Sequence, residues 1–323
     1  MAKAKIAIIG LGFVGSSIGL ALCQSEGERA YEVIGHDKDP QVASAARKAG
    51  AVDRTEWNLI NTVEGADLVI LALPLSAIQE TMQLIADALK PGCIVTDTAT
   101  VKEPVLRWSR ELLPETVHFV GGDPIISAPP DALGVAAASA DVLKGAVYCL
   151  CPAATAAPDA VQVVTDMVQR MGAEPLFLDS TEHDGMMAGV EQLPSIMAAA
   201  LLEITAQTAP WREMRRLAGT SYQQATHFGS EDAATYSDAA MANRDNVVRW
   251  IDTLIDSLER WKERIVAGED ANLGEAFQEA LKARQEWMRG KRTGQWEQRE
   301  PIDYGMGSYW RGLFGLGGRG KKR

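Results

Sequence analysis

Near its start the sequence contains the segment Lys5-Ile6-Ala7-Ile8-Ile9-Gly10-Leu11-Gly12-Phe13-Val14-Gly15. The apolar run predicts a buried parallel strand, and the apolar periodicity of residues 16–23 predicts a helix directly after it. Gly10, Gly12 and Gly15 have the G-x-G-x-x-G spacing. The first glycine permits a tight turn, the second lets the backbone approach a pyrophosphate, and the third lets helix and strand pack closely. A pyrophosphate would then rest on the amides at the helix N-terminus.

A second predicted strand, Glu32-Val33-Ile34-Gly35-His36-Asp37, ends in an acid. Asp37 follows Gly15 by 22 residues, about where a ribose-binding carboxylate belongs. An ordinary βαβ turn with a solvated aspartate is the alternative. Strand, glycines, helix and acid agree, however, so we predict dinucleotide binding. A carboxylate accepts hydrogen bonds from a free 2′-hydroxyl and repels a 2′-phosphate, which favours NAD over NADP, although Lys38 keeps NADP open.

Composition limits the classes of protein that need to be considered. The 323 residues predict about two domains, and a net charge of -11 argues against nucleic acid as a partner. No uninterrupted apolar run approaches 18 residues, so we expect no membrane partner. None of the four cysteines is in a C-x-x-C pair, which favours buried thiols in a reducing cytoplasm and no metal site. They are Cys23, Cys93, Cys149 and Cys151.

Strands and helices alternate as far as residue 179. The apolar runs at 66–74, 93–97 and 118–122 are separated by helical patterns, so we predict a doubly wound, mostly parallel sheet of the Rossmann type with a possible mixed edge. Ligands bind beyond the carboxyl ends of the strands in such sheets. This rule singles out four loops, at residues 10–15, 74–76, 97–102 and 122–127.

The pattern becomes helical from residue 180 to about 290. Thr181 and Asp184 suggest a capping box for a helix that runs to about Gln207, and Pro194 should kink it. Another long helix is predicted from about residue 231 to 266. The apolar stripes of these helices indicate a core or a dimer seam. We therefore predict an all-helical domain at 180–290 that binds substrate and forms a homodimer.

Residues 291–323 are basic and rich in glycine and aromatic residues. A flexible, solvated tail is the simpler prediction for this composition. The alternative is a tail that docks through its aromatic residues on the acidic body or on an anionic surface.

Four separated motifs resemble the prephenate/arogenate dehydrogenase family. They are the glycine loop, Thr96-Asp97-Thr98-Ala99-Thr100-Val101-Lys102, Phe119-Val120-Gly121-Gly122-Asp123-Pro124 and Thr181-Glu182-His183-Asp184. The resemblance implies a nucleotide-binding domain, a helical dimerisation domain and an active site between them. It also implies oxidation of a ring carbinol, in which hydride goes to the nicotinamide, a proton goes to a histidine and carbon dioxide leaves, on the way to tyrosine.

The sequence departs from the family pattern on the substrate side. Asp123 stands where the family has the catalytic histidine of its Gly-Gly-His-Pro motif, and Thr100 replaces a serine. Glu191-Gln192-Leu193-Pro194-Ser195 replaces a Ser-His-x-Pro-His pattern. The best match to the family's Thr-Arg pair is Thr226-His227. Asp123 could act as a base only if burial raised its pKa, and the acids Asp123 and Glu191 suit a less anionic or a cationic substrate.

These comparisons give a set of candidate site residues. Asp123 and Thr100 are the candidate catalytic residues, and Gln192, Ser195 and His227 are candidates for substrate binding. His183 is interpreted as structural because it opens a helix. The candidate cofactor contacts are Gly10, Leu11, Gly12, Phe13, Val14, Gly15, Asp37, Leu73, Pro74 and Thr98.

Three hypotheses follow for the activity. The first is an NAD-dependent oxidoreductase of the prephenate/arogenate dehydrogenase type with an altered substrate pocket. The second is a catalytically silent NAD-binding paralogue, and the third is a dehydrogenase for a different hydroxy or amino acid.

Overall fold

The computed structural model describes residues 3–24, 29–127, 134–229, 232–268 and 270–294. Contacts divide the described chain into two units, one up to Asn243 and the other from Arg244 onward. The predicted boundary at 179/180 falls inside the first unit and stays a prediction. Most of the predicted tail, from residue 295 on, lies outside the described residues.

The first unit is built on one eight-stranded sheet. Its order is β3-β2-β1-β4-β5-β6-β7-β8, and every neighbouring pair is parallel except β6 and β7. The predicted doubly wound, mostly parallel sheet with a mixed edge is confirmed. The strands are β1 (Ala4–Ile9), β2 (Tyr31–His36), β3 (Arg54–Thr55), β4 (Leu68–Leu71), β5 (Ile94–Asp97), β6 (His118–Pro124), β7 (Val147–Pro152) and β8 (Glu174–Phe177).

Apolar side chains cover both faces of this sheet. In β1, Ile6 and Ile8 pack into one core cluster, whereas Ala7 and Ile9 pack into another. A strand buried on both faces reads as a continuous apolar run rather than an alternating one. This is why β1 could be recognised from sequence.

Helices connect the strands and continue beyond the sheet. The helices between strands are α1 (Phe13–Cys23), α2 (Pro40–Lys48), α3 (Leu59–Val63), α4 (Leu75–Ile85), α5 (Glu103–Leu112) and α6 (Pro158–Arg170). Those that complete the first unit are α7 (Ser180–Met187), α8 (Leu193–Ala206), α9 (Trp211–Leu217), α10 (Thr220–Ala225) and α11 (Ala233–Ala242).

Two details of the helical region differ from the sequence predictions. The capping box of Thr181 and Asp184 is wrong, because Asp179 caps α7 by accepting a hydrogen bond from the amide of Thr181 (2.9 Å). The Asp184 carboxylate instead accepts hydrogen bonds from the amides of Lys102 and Glu103. The single helix predicted from 231 to 266 is two helices, because α11 ends before Asn243.

The region around Pro194 contains a π-helical turn, Ala188–Gln192, between α7 and α8. Proline lacks the amide that an α-helix would bond to the preceding turn, and the wider turn accommodates this loss. Such turns occur often at functional sites.

The run Ser180–Ala206 is the one helix of the described chain that length and composition would allow to cross a membrane, with a mean hydropathy of 1.3. Interior helices of soluble proteins pass the same test. This helix was not predicted as a candidate span from the sequence, because polar residues interrupt its apolar run.

The second unit is a pair of helices, α12 (Arg244–Ala267) and α13 (Asp270–Thr293). The rings of Trp261 and Phe277 pack with their centroids 4.7 Å apart. Many apolar side chains of this pair are exposed. They are Val248, Trp250, Ile255, Leu258, Ile265, Val266, Phe277, Leu281, Trp287 and Met288.

Candidate active site

The glycine loop follows β1 at the carboxyl edge of the sheet. Gly10 has a φ of 91°, and a Cβ there would lie 2.2 Å from the carbonyl oxygen of Ala72. A Cβ on Gly15 would lie 1.9 Å from the carbonyl oxygen of Gly10. Gly12 differs, because a Cβ there would meet nothing within 4 Å. The loop therefore leaves open space beside Gly12 at the N-terminus of α1, where a pyrophosphate fits.

Asp37 lies directly after β2, beside the glycine loop. Its Oδ2 accepts a hydrogen bond from the Leu11 amide at 2.8 Å, and its Oδ1 accepts one from the Asp39 amide at 2.9 Å. The carboxylate is thus fixed next to the loop, as a ribose-binding acid requires. The Leu11 side chain is fully buried, so any contact of this residue with a cofactor would have to come from its backbone.

The remaining candidate cofactor contacts lie at the same edge. Phe13 and Val14 are half-buried in the first turn of α1, and Leu73 follows β4. Pro74 is exposed ahead of α4, and Thr98 is half-buried after β5. The structure brings these residues to one edge, and their contacts with a cofactor stay a prediction.

A buried ion pair fixes the loop that follows β5. The Lys102 Nζ donates to Asp97 Oδ2 and to the carbonyl oxygen of Gly122 (2.6 Å). Asp97 also accepts from the amides of Ala99 and Gly122, each at 3.0 Å. Lys102 and Asp97 are both fully buried. These contacts join the loop to β6 directly before Asp123, and the sequence analysis assigned them no role.

Asp123 lies near the end of β6 and contacts His183 of α7. The His183 Nε2 is 3.1 Å from Asp123 Oδ2, and its Nδ1 is 2.9 Å from Asp184 Oδ1. Asp184 is itself held by the amides of Lys102 (2.6 Å) and Glu103 (2.9 Å). All three acid and imidazole side chains are buried. The sequence interpretation of His183 as only structural omits this contact with the candidate base.

The pKa values in this cluster are displaced from their ordinary range. Burial raises the pKa of Asp123, and the hydrogen bond from His183 and the charge of Lys102 oppose that rise. Burial alone would lower the pKa of His183. Its hydrogen bonds to Asp123, Asp184 and Cys149 outweigh burial and raise its pKa to about 11, which favours the protonated ring.

A cavity of about 280 Å³ lies within the first unit. Among the described residues that line it, one is acidic and none is Lys, Arg or His. Desolvation of the carboxyl group, together with the like charge of Asp123, raises the pKa of Glu191 to about 7, although the residue as a whole is exposed. The polar lining consists of Thr100, Glu191, Gln192, Ser195, Thr235 and Tyr236.

Gln192 offers an amide donor at this cavity. Its Oε1 accepts a hydrogen bond from Asn243 Nδ2 (3.0 Å), which also donates to the Asp184 carbonyl oxygen (2.7 Å). The Gln192 Nε2 is buried and has no partner among the described residues. Leaving a buried donor unpaired costs free energy, so this amide group is suited to donate a hydrogen bond to a ligand oxygen.

The structure brings together most, but not all, of the predicted site residues. Thr100, Gln192 and Ser195 line the cavity. His227 is exposed and is not among the lining residues, whereas the next residue, Phe228, is. Asp123 is not among the lining residues either, and it is buried beside His183. The assignments of these residues to catalysis and substrate binding stay predictions.

Metal binding finds no support in the described residues, which contain no cluster of three His, Cys, Asp or Glu side chains arranged for an ion. The four cysteines are free.

Three features define a class, the dehydrogenases with an NAD-binding Rossmann domain. They are a glycine loop after β1, an acid after the adjacent strand β2 and a buried pair, Asp123 and His183. Sequence profiles then give the family. Residues 18–176 match the profile described as prephenate dehydrogenase, nucleotide-binding domain, and residues 179–279 match prephenate dehydrogenase, dimerization domain. The chain belongs to the prephenate dehydrogenase family.

Individual relatives agree with the profiles. A prephenate dehydrogenase of Lactococcus lactis subsp. cremoris is 28% identical over 284 residues, 87% of this chain and 77% of that protein. A cyclohexadienyl dehydrogenase of Zymomonas mobilis is 27% identical over 285 residues, 86% of this chain and 94% of that protein. These matches cover both the sheet and the helical region.

A solved structure shares the fold. The prephenate dehydrogenase of A. aeolicus, in complex with hydroxyphenyl propionate and NAD+, superposes with a TM-score of 0.80. It is 24% identical, and the match covers 88% of this chain and 99% of that one. The resemblance inferred from the motifs is confirmed at the level of family and fold.

Proposed function

We propose that the protein is a cytoplasmic NAD-dependent dehydrogenase that oxidises a ring carbinol of the prephenate/arogenate type, with an altered pocket that prefers the amine-bearing member. The observation that carries this proposal is the cavity lining, which has Glu191 as its one acid and no basic residue among the described residues. Prephenate carries two carboxylates. Arogenate carries an ammonium in place of the side-chain ketone, and this group pairs with a carboxylate.

The reaction assigns distinct tasks to the residues of the site. NAD, held at the glycine loop and by Asp37, would supply the acceptor for the hydride of the ring carbon. Asp123 takes the hydroxyl proton, Thr100 offers a hydroxyl to the same oxygen, and the ring carboxylate leaves as carbon dioxide. The Gln192 amide donates to a substrate oxygen, and Glu191 binds the ammonium group.

Substrate preference tests this assignment. Purified protein with NAD is given arogenate or prephenate, and reduced nicotinamide is followed by absorbance. We expect a higher kcat/KM for arogenate. Because Glu191 ionises as the pH rises through about 7, the KM for arogenate should fall over that range. An equal or higher kcat/KM for prephenate would contradict the preference.

Glu191→Gln is the matched variant, because it keeps the size of the side chain and removes its charge. A charge-assisted hydrogen bond contributes about 1.5–3 kcal/mol, so kcat/KM for arogenate should fall roughly tenfold or more. The value for prephenate should hold or rise. A similar loss for both substrates would place Glu191 outside amine recognition.

The silent-paralogue alternative is supported by the departures from the family pattern, which are Asp123 in place of the histidine, the missing histidine pair at residues 191–195 and His227 in place of the arginine. In that case NAD would bind, as calorimetry would show, while no hydroxy acid supported its reduction. Asp123→His then discriminates the hypotheses. A gain of prephenate turnover would show that the remaining pocket is of the family type, and no gain would favour a different substrate.

The helical residues from 180 onward are proposed to form a homodimer. The matching profile is described as a dimerization domain, and α12 and α13 expose many apolar side chains. The helical run Ser180–Ala206 contributes His183, Asp184 and Gln192 to the site. We therefore assign it to the active site and the dimer rather than to a membrane.

A further inference from the structure

His183 is the one histidine whose two ring nitrogens both face carboxylates in the described chain. Nε2 lies 3.1 Å from Asp123 and Nδ1 lies 2.9 Å from Asp184. A neutral imidazole has one N–H, so one of these contacts would need a protonated carboxyl as its donor, whereas the imidazolium donates to both ionised carboxylates. The ring has no exposed surface, so water cannot supply the missing donor.

The anchor of this arrangement is Asp184. Its two oxygens accept from the backbone amides of Lys102 and Glu103, and those amides cannot rotate away as a side chain would. Asp184 therefore fixes the plane of the His183 ring, and the ring in turn fixes Asp123 Oδ2. The second oxygen of Asp123 makes none of these hydrogen bonds.

Other ionisable groups face the pair from the surrounding elements. Lys102 opposes protonation of Asp123 but is already bound to Asp97. Cys149 of β7 bonds to His183, and Glu191 of the π-helical turn adds a like charge near Asp123. Tyr148 is buried nearby with its hydroxyl unpartnered among the described residues. Of these groups, only His183 donates directly to Asp123.

We propose that His183 is a positioning residue that keeps the buried Asp123 ionised and directs its free oxygen to the substrate, so that Asp123 replaces the family's histidine as base. This proposal rests on the proposed function. In the step it serves, the O–H bond of the carbinol breaks and an O–H bond forms on Asp123. The ring carbon gives its hydride to the bound NAD, and the proton later passes to solvent.

Burial explains why a carboxylate base needs this partner. Desolvation by itself holds a carboxyl group in its neutral form, and a protonated Asp123 cannot accept the hydroxyl proton. An adjacent cation favours the ionised form. Asp123 and His183 thus act as one unit, in which the histidine supplies charge and geometry.

The pH profile of kcat/KM with arogenate tests the proposal. Removing the cation in His183→Asn raises the pKa of Asp123, so the acidic limb should move up by about 1–3 pH units. Activity lost at neutral pH should return at higher pH. Asp184→Asn should move the limb in the same direction by less. An equal loss at all pH values would overturn the proposal, because a merely structural role predicts that result.

Controls separate this effect from damage to the fold. His118→Asn changes a histidine outside the cluster and should leave the profile where it is. NAD affinity by calorimetry should stay within about twofold of wild type in His183→Asn. A loss of NAD binding with no shift of the acidic limb would overturn the positioning role.

A second measurement uses the wild-type protein and requires neither turnover nor a variant. The chain has four histidines, so nitrogen chemical shifts of the labelled wild-type protein can be followed one by one. We expect one ring to remain an imidazolium at pH 8, and a neutral ring at every site would overturn the proposal. If that imidazolium is present but no ring carbinol is oxidised, the proposed function is wrong, whereas the charged state inferred for His183 is confirmed.

Discussion

Gly10 and Gly12 stand two positions apart and serve different purposes. Gly10 turns the chain with a positive φ against the backbone of Ala72, whereas Gly12 borders open space. The first glycine is therefore required for folding, and the second keeps room for a ligand. The G-x-G-x-x-G spacing alone does not separate these requirements.

Alanine substitutions distinguish the two glycines. Gly10→Ala should lower the free energy of unfolding by about 2 kcal/mol or more, because its Cβ meets backbone at a left-handed φ. Gly12→Ala should cost about 1 kcal/mol or less and abolish NAD binding. Denaturant melts and calorimetry measure the two effects, and an unchanged NAD affinity in Gly12→Ala would contradict this placement of the cofactor.

Among the lysines of the described chain, we expect removal of Lys102 to lower the free energy of unfolding most. Lys102→Met leaves Asp97 charged and buried without its partner, which costs about 3–5 kcal/mol. Lys90→Met is the matched control, because Lys90 pairs with Asp67 at the surface at 2.6 Å, and a surface pair contributes about 1 kcal/mol or less. Urea melts give both values, and equal losses would show that burial does not set the difference.

For individual residues, the sequence predicts local features well and tertiary contacts poorly. The glycine loop and Asp37 follow from spacing along the chain, and both lie where expected. The contact of His183 with Asp123 spans 60 residues and has no local pattern. One signal was present, since replacement of a catalytic histidine by an acid leaves that acid in need of a partner, and His183 stands in another motif of the same family.

Among the elements, α7 depends on its first turn. Asp179 precedes the helix and accepts a hydrogen bond from the Thr181 amide. This bond satisfies one of the four amides that have no partner within the helix at its start. The sequence analysis placed the cap at Thr181 because Thr and Asp at that spacing also fit a capping box. The structure uses Asp184 to hold the imidazole, so its side chain is not available for a cap.

Removing this cap should weaken the start of α7. Asp179→Ala is expected to lower the free energy of unfolding by about 1 kcal/mol, whereas Asp179→Ser keeps an acceptor oxygen and should recover most of it. Thermal unfolding measures both variants. A serine variant as unstable as the alanine variant would show that charge rather than capping matters here.

The central strands β4 and β5 could be predicted from the sequence because they are buried on both faces, whereas the two-residue β3 was not predicted. The mixed edge was left open, since the sequence does not show that β7 runs antiparallel to β6. The register pairs Asp123 with Cys149 and Gly122 with Leu150. This places Cys149 against the His183 ring, a contact that depends on strand direction.

For the whole molecule, the exposed apolar residues of α12 predict self-association. Leu258→Lys puts a charge on that face and should shift the protein from dimer towards monomer. Glu259→Lys changes an exposed neighbour and should leave the dimer intact. Sedimentation velocity at several protein concentrations measures the shift, and a dimer unaffected by Leu258→Lys would place the interface on another face.

The attachment of Asp184 to the amides of Lys102 and Glu103 has a kinetic consequence. These hydrogen bonds join residues 82 and 81 positions apart, and closing so long a loop costs entropy before the contact stabilises anything. We expect the contact to form after the folding transition state. Loss of the Asp184 carboxylate should then accelerate unfolding and leave the refolding rate nearly unchanged. In stopped-flow experiments the buried charges would therefore govern the lifetime of the folded enzyme rather than the speed of its assembly.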